Sequence, residues 1–244
     1  MTFERVARLT DASEVADIVA TRLLDRLVEL QTTKGVVHVC LTGGDAANMM
    51  YERFAELAPQ TALDTSLLQL WWGDERFVPA TDPDRNSLQA VARLARTVPI
   101  KSADIHMMPA ADDRLDADQC AAEYEAELGG TTFDITLLGI GRDGHIGSIF
   151  PGHPSFDPTT KSVIGVTDSP KPPPERITLT IPTFNRSDEI WFLASGGGKA
   201  DAIARCLDRD PALPASHVRG VTATYWFIDD AAAAGLPKSY HCDL

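Results

Sequence analysis

The residues best suited to chemistry lie in a glycine-rich loop that contains Asp143, Gly144 and His145. Histidine is the side chain whose charge changes most readily near neutral pH, and it often serves in proton transfer. A lone histidine is more often a capping or core residue. This one follows a predicted buried strand, beside Asp143, in a loop that we expect to open on a crevice. We therefore predict that His145 faces a ligand.

Two other glycine loops are suited to binding an anion such as phosphate. Thr42-Gly43-Gly44 lies between a predicted strand and a predicted helix, where backbone amides and a helix N-terminus attract negative charge. A tight turn explains an isolated Gly-Gly pair equally well. Ser195-Gly196-Gly197-Gly198-Lys199 repeats the arrangement and adds a lysine, a mobile point charge suited to phosphate. It does not match the P-loop, because Lys199 is followed by alanine.

Charged residues also stand beside two further predicted strands, after one and before the other. Asp74-Glu75-Arg76 comes directly after a strand, and could be a functional group, a surface ion cluster or a helix cap. Arg176 follows a proline-rich loop. It could be a functional residue or only a solvated charge at the start of a strand.

The segment from Gly139 to Gly144 matches the G-x-G-x-x-G pattern of dinucleotide-binding proteins. That pattern requires a helix that begins within the loop, usually in the first βαβ unit. Here the chain continues as His145-Ile146-Gly147-Ser148 and then reaches Pro151 and Pro154. A nucleotide-dependent oxidoreductase, which would bind NAD(P), is therefore only a weak alternative.

These loops must be positioned by the elements that precede them, and the chain alternates between helical and strand patterns. Asp11 or Ser13 can cap the first helix, and Asp45 can cap the second. The loop TDSPKPPPER at 167–176 is predicted to be extended and at the surface. The predicted helices cover 11–30, 45–54, 87–98, 116–128 and 200–207, and the predicted strands cover 36–41, 67–72, 133–138, 163–166, 177–181, 189–194 and 222–228.

This alternation predicts the α/β class: one domain over residues 1–244, with a mostly parallel, Rossmann-like sheet flanked by helices on both faces. Ligands bind outside the carboxyl ends of the strands in such sheets. The four loops at Gly43, Gly73, Gly139 and Gly196 should therefore be neighbours.

Composition limits the possible partners. The chain has 22 Lys+Arg against 35 Asp+Glu, a net charge of -13, so we expect it to bind no nucleic acid. A small anion can still bind where a few cations are focused in one cleft. Four widely spaced cysteines form no metal motif, so no metal is expected. Without a leader or an apolar span, a cytoplasmic protein that does not bind membranes is expected, as a monomer or small homo-oligomer.

Five separated motifs, in order, resemble the family of glucosamine-6-phosphate isomerases and 6-phosphogluconolactonases. GDER and SIFPGHP are similar to the lactonase branch, and the segment that typically follows the histidine in deaminases is missing. The family often continues its GG turn with serine, where this chain has Asp45. The motifs are LTGG at 41–44, WWGDERFVP at 71–79, LLGIGRDGHIGSIFPGHP at 137–154, ERITLTIP at 175–182 and SGGGKA at 195–200.

The resemblance implies hydrolysis of 6-phosphoglucono-δ-lactone in the oxidative pentose phosphate pathway, without metal or organic cofactor. His145 would act as general base and then general acid. Asp143 or Asp74 would orient it. Substrate would be held by Gly43, Gly44, Arg76, Arg176 and Lys199. A glucosamine-6-phosphate deaminase and a non-catalytic phosphosugar-binding regulator are the alternatives.

Overall fold

Strands and helices alternate along the computed structural model, which describes residues 3–112 and 114–237. The strands are β1 (Phe3–Leu9), β2 (Val37–Leu41), β3 (Leu68–Trp72), β4 (Asp74–Arg76), β5 (Ile105–His106), β6 (Ile135–Gly139), β7 (Val163–Val166), β8 (Arg176–Leu179), β9 (Glu189–Ala194) and β10 (Ala223–Asp229). The helices are α1 (Ala12–Lys34), α2 (Asp45–Leu57), α3 (Asn86–Leu94), α4 (Ala117–Leu128), α5 (Ile181–Phe184) and α6 (Ala200–Leu207).

Seven strands form one sheet in the order β1-β10-β9-β6-β2-β3-β5, and every neighbouring pair is parallel. Helices α1, α2 and α3 bury their apolar sides on one face, while α4 and α6 cover the other. All six residues of β9 are buried, because the strand is covered on both faces. The predicted α/β class and the parallel, Rossmann-like sheet are therefore confirmed.

A second sheet of three antiparallel strands, in the order β4-β8-β7, lies beside the main one. The sequence predicted β7 and β8 but placed Asp74-Glu75-Arg76 in a loop, because three charged residues carry no strand pattern. Their backbone pairs with β8, and Arg76 lies directly opposite Arg176. This small sheet brings the charged segment after β3 and the end of the proline loop to the same edge of the main sheet.

Several predicted boundaries shift for local reasons. Helix α3 ends at Leu94 rather than at 98, since Pro99 disfavours helical backbone in the residue before it. Strand β8 stops at Leu179 rather than at 181, and Pro182 lies in the first turn of α5. Strands β1 and β5 were not predicted; β1 is an edge strand with charged residues and β5 has only two residues.

Three cysteines, Cys40, Cys120 and Cys206, are buried free thiols, as predicted; Cys242 lies outside the described residues. Burial raises the pKa of Cys206 to about 11, so its thiol is a poor nucleophile near neutral pH. Within 3–112 and 114–237, the chain has no helix with the length and hydropathy needed to span a bilayer.

Candidate active site

A cleft of about 410 Å³ opens where β2, β6 and β9 end, within the size range of small-molecule sites. The four glycine loops lie close together, as predicted. Each of them contributes a residue to the lining of this cleft, either the glycine itself or a residue shortly after it. Asp143 is the one predicted site residue outside the lining, and it contacts His145. The predicted residues that line the cleft are Gly43, Gly44, Asp74, Arg76, His145, Arg176 and Lys199.

His145 and Asp143 form a hydrogen-bonded pair. Asp143 Oδ1 lies 2.5 Å from Nδ1 of His145, whose side chain is 19% exposed. Burial alone would raise the pKa of Asp143, but its hydrogen bond to His145 and the charges of His145 and Lys171 outweigh burial and hold that pKa well below its usual range. An ionised carboxylate only accepts hydrogen bonds, so Nδ1 carries a proton, and in the neutral ring Nε2 is the nitrogen with the free lone pair. Nothing in the described ranges hydrogen-bonds Nε2.

Two glycines shape this loop around the imidazole. A Cβ on Gly141 would lie 1.9 Å from Nδ1 of His145, so only glycine allows the ring to fold back over the loop. Gly144 has a φ of 80°, in the region that favours glycine, and its amide bonds the Gly141 carbonyl at 3.0 Å. The G-x-G-x-x-G match therefore has a local explanation that requires no dinucleotide.

Asp74 does not contact the imidazole, so Asp143 is the carboxylate that orients it. Asp74 is 6% exposed and accepts a hydrogen bond of 2.8 Å from the buried hydroxyl of Ser148. Its backbone carbonyl accepts one of 3.0 Å from Asn86 Nδ2. Asp74 therefore ties the loop that contains His145 and Ser148 to β4 and leaves a carboxylate on the wall of the cleft.

Glu75 caps a helix across the fold. It is fully buried, and its carboxylate accepts hydrogen bonds from the amides of Asn86 and Ser87 at 2.7 and 2.9 Å and from the Ser87 hydroxyl at 2.6 Å. These amides begin α3, whose own N-cap residue, Arg85, provides no side-chain cap. The helix-cap interpretation of the Asp74-Glu75-Arg76 segment is therefore correct for Glu75, which caps a helix that begins 11 residues later.

Replacing Glu75 with alanine is expected to lower the free energy of unfolding by about 2–4 kcal/mol, because buried donors at the start of α3 lose their acceptor. Urea unfolding measures this change. Glu175→Ala removes an exposed carboxylate next to β8 and should change stability by less than about 0.5 kcal/mol. Equal losses in the two variants would contradict the capping role.

Arg76 and Arg176 face the cleft from paired strands. Arg176 donates from Nε and Nη2 to the carbonyls of Lys171, Pro172 and Pro173, at 2.9 to 3.2 Å. Arg76 Nη1 donates to the Asp84 carbonyl at 2.6 Å. Each guanidinium thus serves partly as a structural tie, and burial lowers the pKa of Arg176. Nε and Nη2 of Arg176 are used by these contacts within the described chain, so Nη1 is the nitrogen that remains for a ligand.

Lys199 stands at the start of α6 and also lines the cleft. Its loop is anchored by Asp229 at the end of β10, which accepts from the Gly196 amide at 2.9 Å. Burial lowers the pKa of Lys199, while Asp45 and Asp229 oppose that effect. Asp45 does not cap α2, contrary to the prediction: Gly44 is the N-cap residue, without a side-chain cap. The N-terminus of α2 is thus left open beside the cleft.

The cleft concentrates positive charge in an acidic protein. Five cationic side chains line it against one carboxylate, that of Asp74, although the whole chain carries a net charge of -13. Such focusing raises the local concentration of an anionic ligand despite the overall charge. The cations are Arg76, Arg142, Lys171, Arg176 and Lys199.

Among the lining residues that the sequence prediction did not assign to the site, three have charged or amide side chains. Arg142 stands next to Asp143, and its position in the same loop was a usable signal. Asn86 is buried, and its Oδ1 has no partner in the described chain. Lys171 belongs to the proline loop that was predicted to be surface; several of its prolines are exposed, but the amine of Lys171 lies 3.0 Å from Nδ1 of His145. No local pattern identifies that approach.

Comparison with known proteins gives consistent results. A family model described as glucosamine-6-phosphate isomerases/6-phosphogluconolactonase matches residues 10–226. A 6-phosphogluconolactonase of Streptomyces coelicolor is 40% identical, over 95% of this chain and 94% of its own. The crystal structure of a 6-phosphogluconolactonase from Thermotoga maritima is 27% identical with a TM-score of 0.82, covering 93% of this chain and all of that one.

The fold is shared with the other branch of the family as well. A monomeric glucosamine-6-phosphate deaminase is 25% identical, with a TM-score of 0.80, and covers 95% of this chain and 100% of its own. The fold alone therefore does not separate the two activities, whereas the sequence identity is highest among these three for the lactonase of Streptomyces coelicolor. On the family match and that identity, the chain belongs to the glucosamine-6-phosphate isomerase/6-phosphogluconolactonase family.

Proposed function

We propose that this protein hydrolyses 6-phospho-D-glucono-1,5-lactone to 6-phospho-D-gluconate, a step of the oxidative pentose phosphate pathway. The observation that carries the proposal is the 2.5 Å contact between Asp143 and His145 Nδ1 in a cleft lined by five cations. That arrangement provides a general base beside a site for an anionic substrate. Relatives named 6-phosphogluconolactonase, at up to 40% identity, support the same activity.

In the proposed reaction, Nε2 of His145 takes a proton from water while the water oxygen attacks the lactone carbonyl carbon. The imidazolium is stabilised by ionised Asp143 at Nδ1. The tetrahedral intermediate then collapses, the bond from the carbonyl carbon to the ring oxygen breaks, and the imidazolium returns its proton to that oxygen. The new carboxylic acid ionises in water and releases one proton per turnover.

Four of the five cations divide into two groups by their position in the fold. Lys199 and Arg142 stand near the open N-terminus of α2, and together they suit the phosphate. Arg76 and Arg176 come from the small sheet, on the side of the proline loop. We assign these two guanidinium groups to the oxyanion that develops on the lactone carbonyl.

A direct assay tests the activity. Proton release from freshly prepared 6-phosphogluconolactone is followed in a pH-stat with and without the protein, because this lactone also hydrolyses spontaneously. Rates well above that background support the proposal. Ammonia released from glucosamine-6-phosphate would instead indicate the deaminase. A rise in melting temperature with the sugar phosphate, together with hydrolysis at the background rate, would indicate a binding regulator.

Asp45 provides a prediction on affinity. Its carboxylate is exposed in the first turn of α2 and interacts with Lys199, so it competes with a phosphate for the same positive charge. Replacing Asp45 with asparagine is expected to lower KM roughly two- to fivefold at low ionic strength, with kcat little changed. The difference should shrink in high salt. An unchanged KM at low salt would place the phosphate away from Asp45.

A further inference from the structure

Among the described residues, Lys171 is the one cation lining the cleft to which the proposed mechanism assigns no role. Its Nζ lies 3.0 Å from Nδ1 of His145 and 3.3 Å from Oδ1 of Asp143. The three side chains come from two segments, the loop after β6 and the proline loop before β8. A cation in contact with both members of a proton-transfer pair changes the balance of charge on which that pair depends.

The position of Lys171 is held by its surroundings. Arg176 binds the carbonyls of residues 171, 172 and 173. Ser169 Oγ donates to the Lys171 carbonyl at 3.0 Å, and the Ser169 amide closes the loop on the Pro174 carbonyl at 3.0 Å. Proline on both sides of Lys171 further restricts the backbone. The amine is thus presented to His145 by an ordered loop.

The chemistry of the contact follows from the ionised state of Asp143. Since Nδ1 donates its proton to Asp143, the ammonium of Lys171 has no acceptor on Nδ1, and its hydrogen-bond partner in the pair is the carboxylate. Once the imidazole ring is protonated, the ring and the ammonium of Lys171 carry charges of the same sign and repel each other. A carboxylate alone at 2.5 Å favours the imidazolium, which cannot take a proton from water.

We propose that Lys171 is a positioning residue: its ammonium offsets the charge of Asp143, so that Asp143 orients the imidazole of His145 without drawing a second proton onto the ring. The inference rests on the proposed role of His145 as general base. In that role Lys171 supports the general base: it acts through His145 and not on the substrate.

Five other charged groups line the cleft together with His145. Arg76 and Arg176 come from the small sheet, Arg142 from the same loop, Lys199 from the start of α6, and Asp74 from β4. Asp74 bonds Ser148, and Arg176 bonds the proline loop. Of the charged side chains in the described ranges, only Asp143 and Lys171 have a hydrogen-bond-range contact with the ring.

The test measures kcat/KM as a function of pH for the wild type, Lys171→Met, Lys171→Arg and Lys161→Met. Methionine keeps the length of the side chain and removes the charge, arginine keeps the charge, and Lys161 is an exposed lysine outside the cleft. In Lys171→Met the acid limb should move to higher pH by about one unit. Activity should fall about tenfold on the acid side and by less than about threefold at pH 9.

A second readout does not depend on catalysis. The NMR resonance of the His145 ring, assigned by its loss in His145→Gln, is followed with pH in the same proteins. The pH at which it is half-shifted should rise in Lys171→Met, but not in Lys171→Arg or Lys161→Met. The inference would be overturned if neither the acid limb of the pH profile nor the His145 resonance moved in Lys171→Met. An equal loss of activity at every pH in that variant would overturn it as well. Full activity in His145→Gln would reject His145 as the general base, whereas wild-type hydrolysis at the background rate would reject the proposed function. The resonance shift stays interpretable in both cases.

Discussion

His145→Ala is expected to lower kcat for lactone hydrolysis by about 100-fold or more, with only a modest change in KM. The reason is that the variant loses the general base, whereas the cations that line the cleft remain in place. Steady-state rates, corrected for spontaneous hydrolysis, measure this loss. A fall in kcat and kcat/KM by the same factor would show that His145 acts in the transition state.

His217→Ala is the matched control, because His217 is exposed and its ring bonds the Pro211 carbonyl outside the cleft. Its kinetic constants should stay within about twofold of the wild type. Activity retained in His145→Ala would reject the proposed mechanism. Melting temperatures of both variants separate a loss of chemistry from a loss of fold.

Lys199→Ala is expected to raise KM about 10- to 100-fold while kcat changes little, since a hydrogen bond to a charged group contributes about 1.5–3 kcal/mol. Lys199 lines the cleft beside the N-terminus of α2, and the variant removes its charge without touching the pair of Asp143 and His145. Steady-state kinetics on the phosphorylated lactone measures the effect. Lys161→Ala removes an exposed lysine elsewhere and is the control.

The non-phosphorylated lactone makes this test specific for phosphate. If Lys199 binds the phosphate, Lys199→Ala should impair hydrolysis of the phosphorylated substrate and leave the slow hydrolysis of glucono-δ-lactone nearly unchanged. A similar loss on both substrates would instead place Lys199 at the lactone ring or in the support of the fold.

Local patterns were enough to find the main loops. The strand before the His145 loop is a run of apolar residues that ends in glycine, and His145 follows six residues after that glycine. In a parallel sheet the ends of such strands meet at one edge, so the proximity of Gly43, His145 and Lys199 could be predicted from topology alone. The structure brings these residues to one cleft.

Contacts between distant segments could not be predicted in the same way. Glu75 caps a helix that begins 11 residues later, and its function as a cap depends on β4 pairing with β8. Lys171 reaches His145 across 26 residues, from a loop whose prolines indicated a surface position. In both cases the residue type leaves several roles open, and only the packing of one segment on another selects among them.

By itself, the sequence determined the α/β class, the order of the main strands and helices, and the loop in which His145 follows Asp143, because these depend on periodicity and on glycine at strand ends. The tertiary structure decided that Asp143 and not Asp74 contacts the imidazole, that Asp45 leaves the start of α2 uncapped, and that Lys171 joins the pair. Distances of about 3 Å between charged groups set their chemistry, and such distances arise only when separate segments pack together.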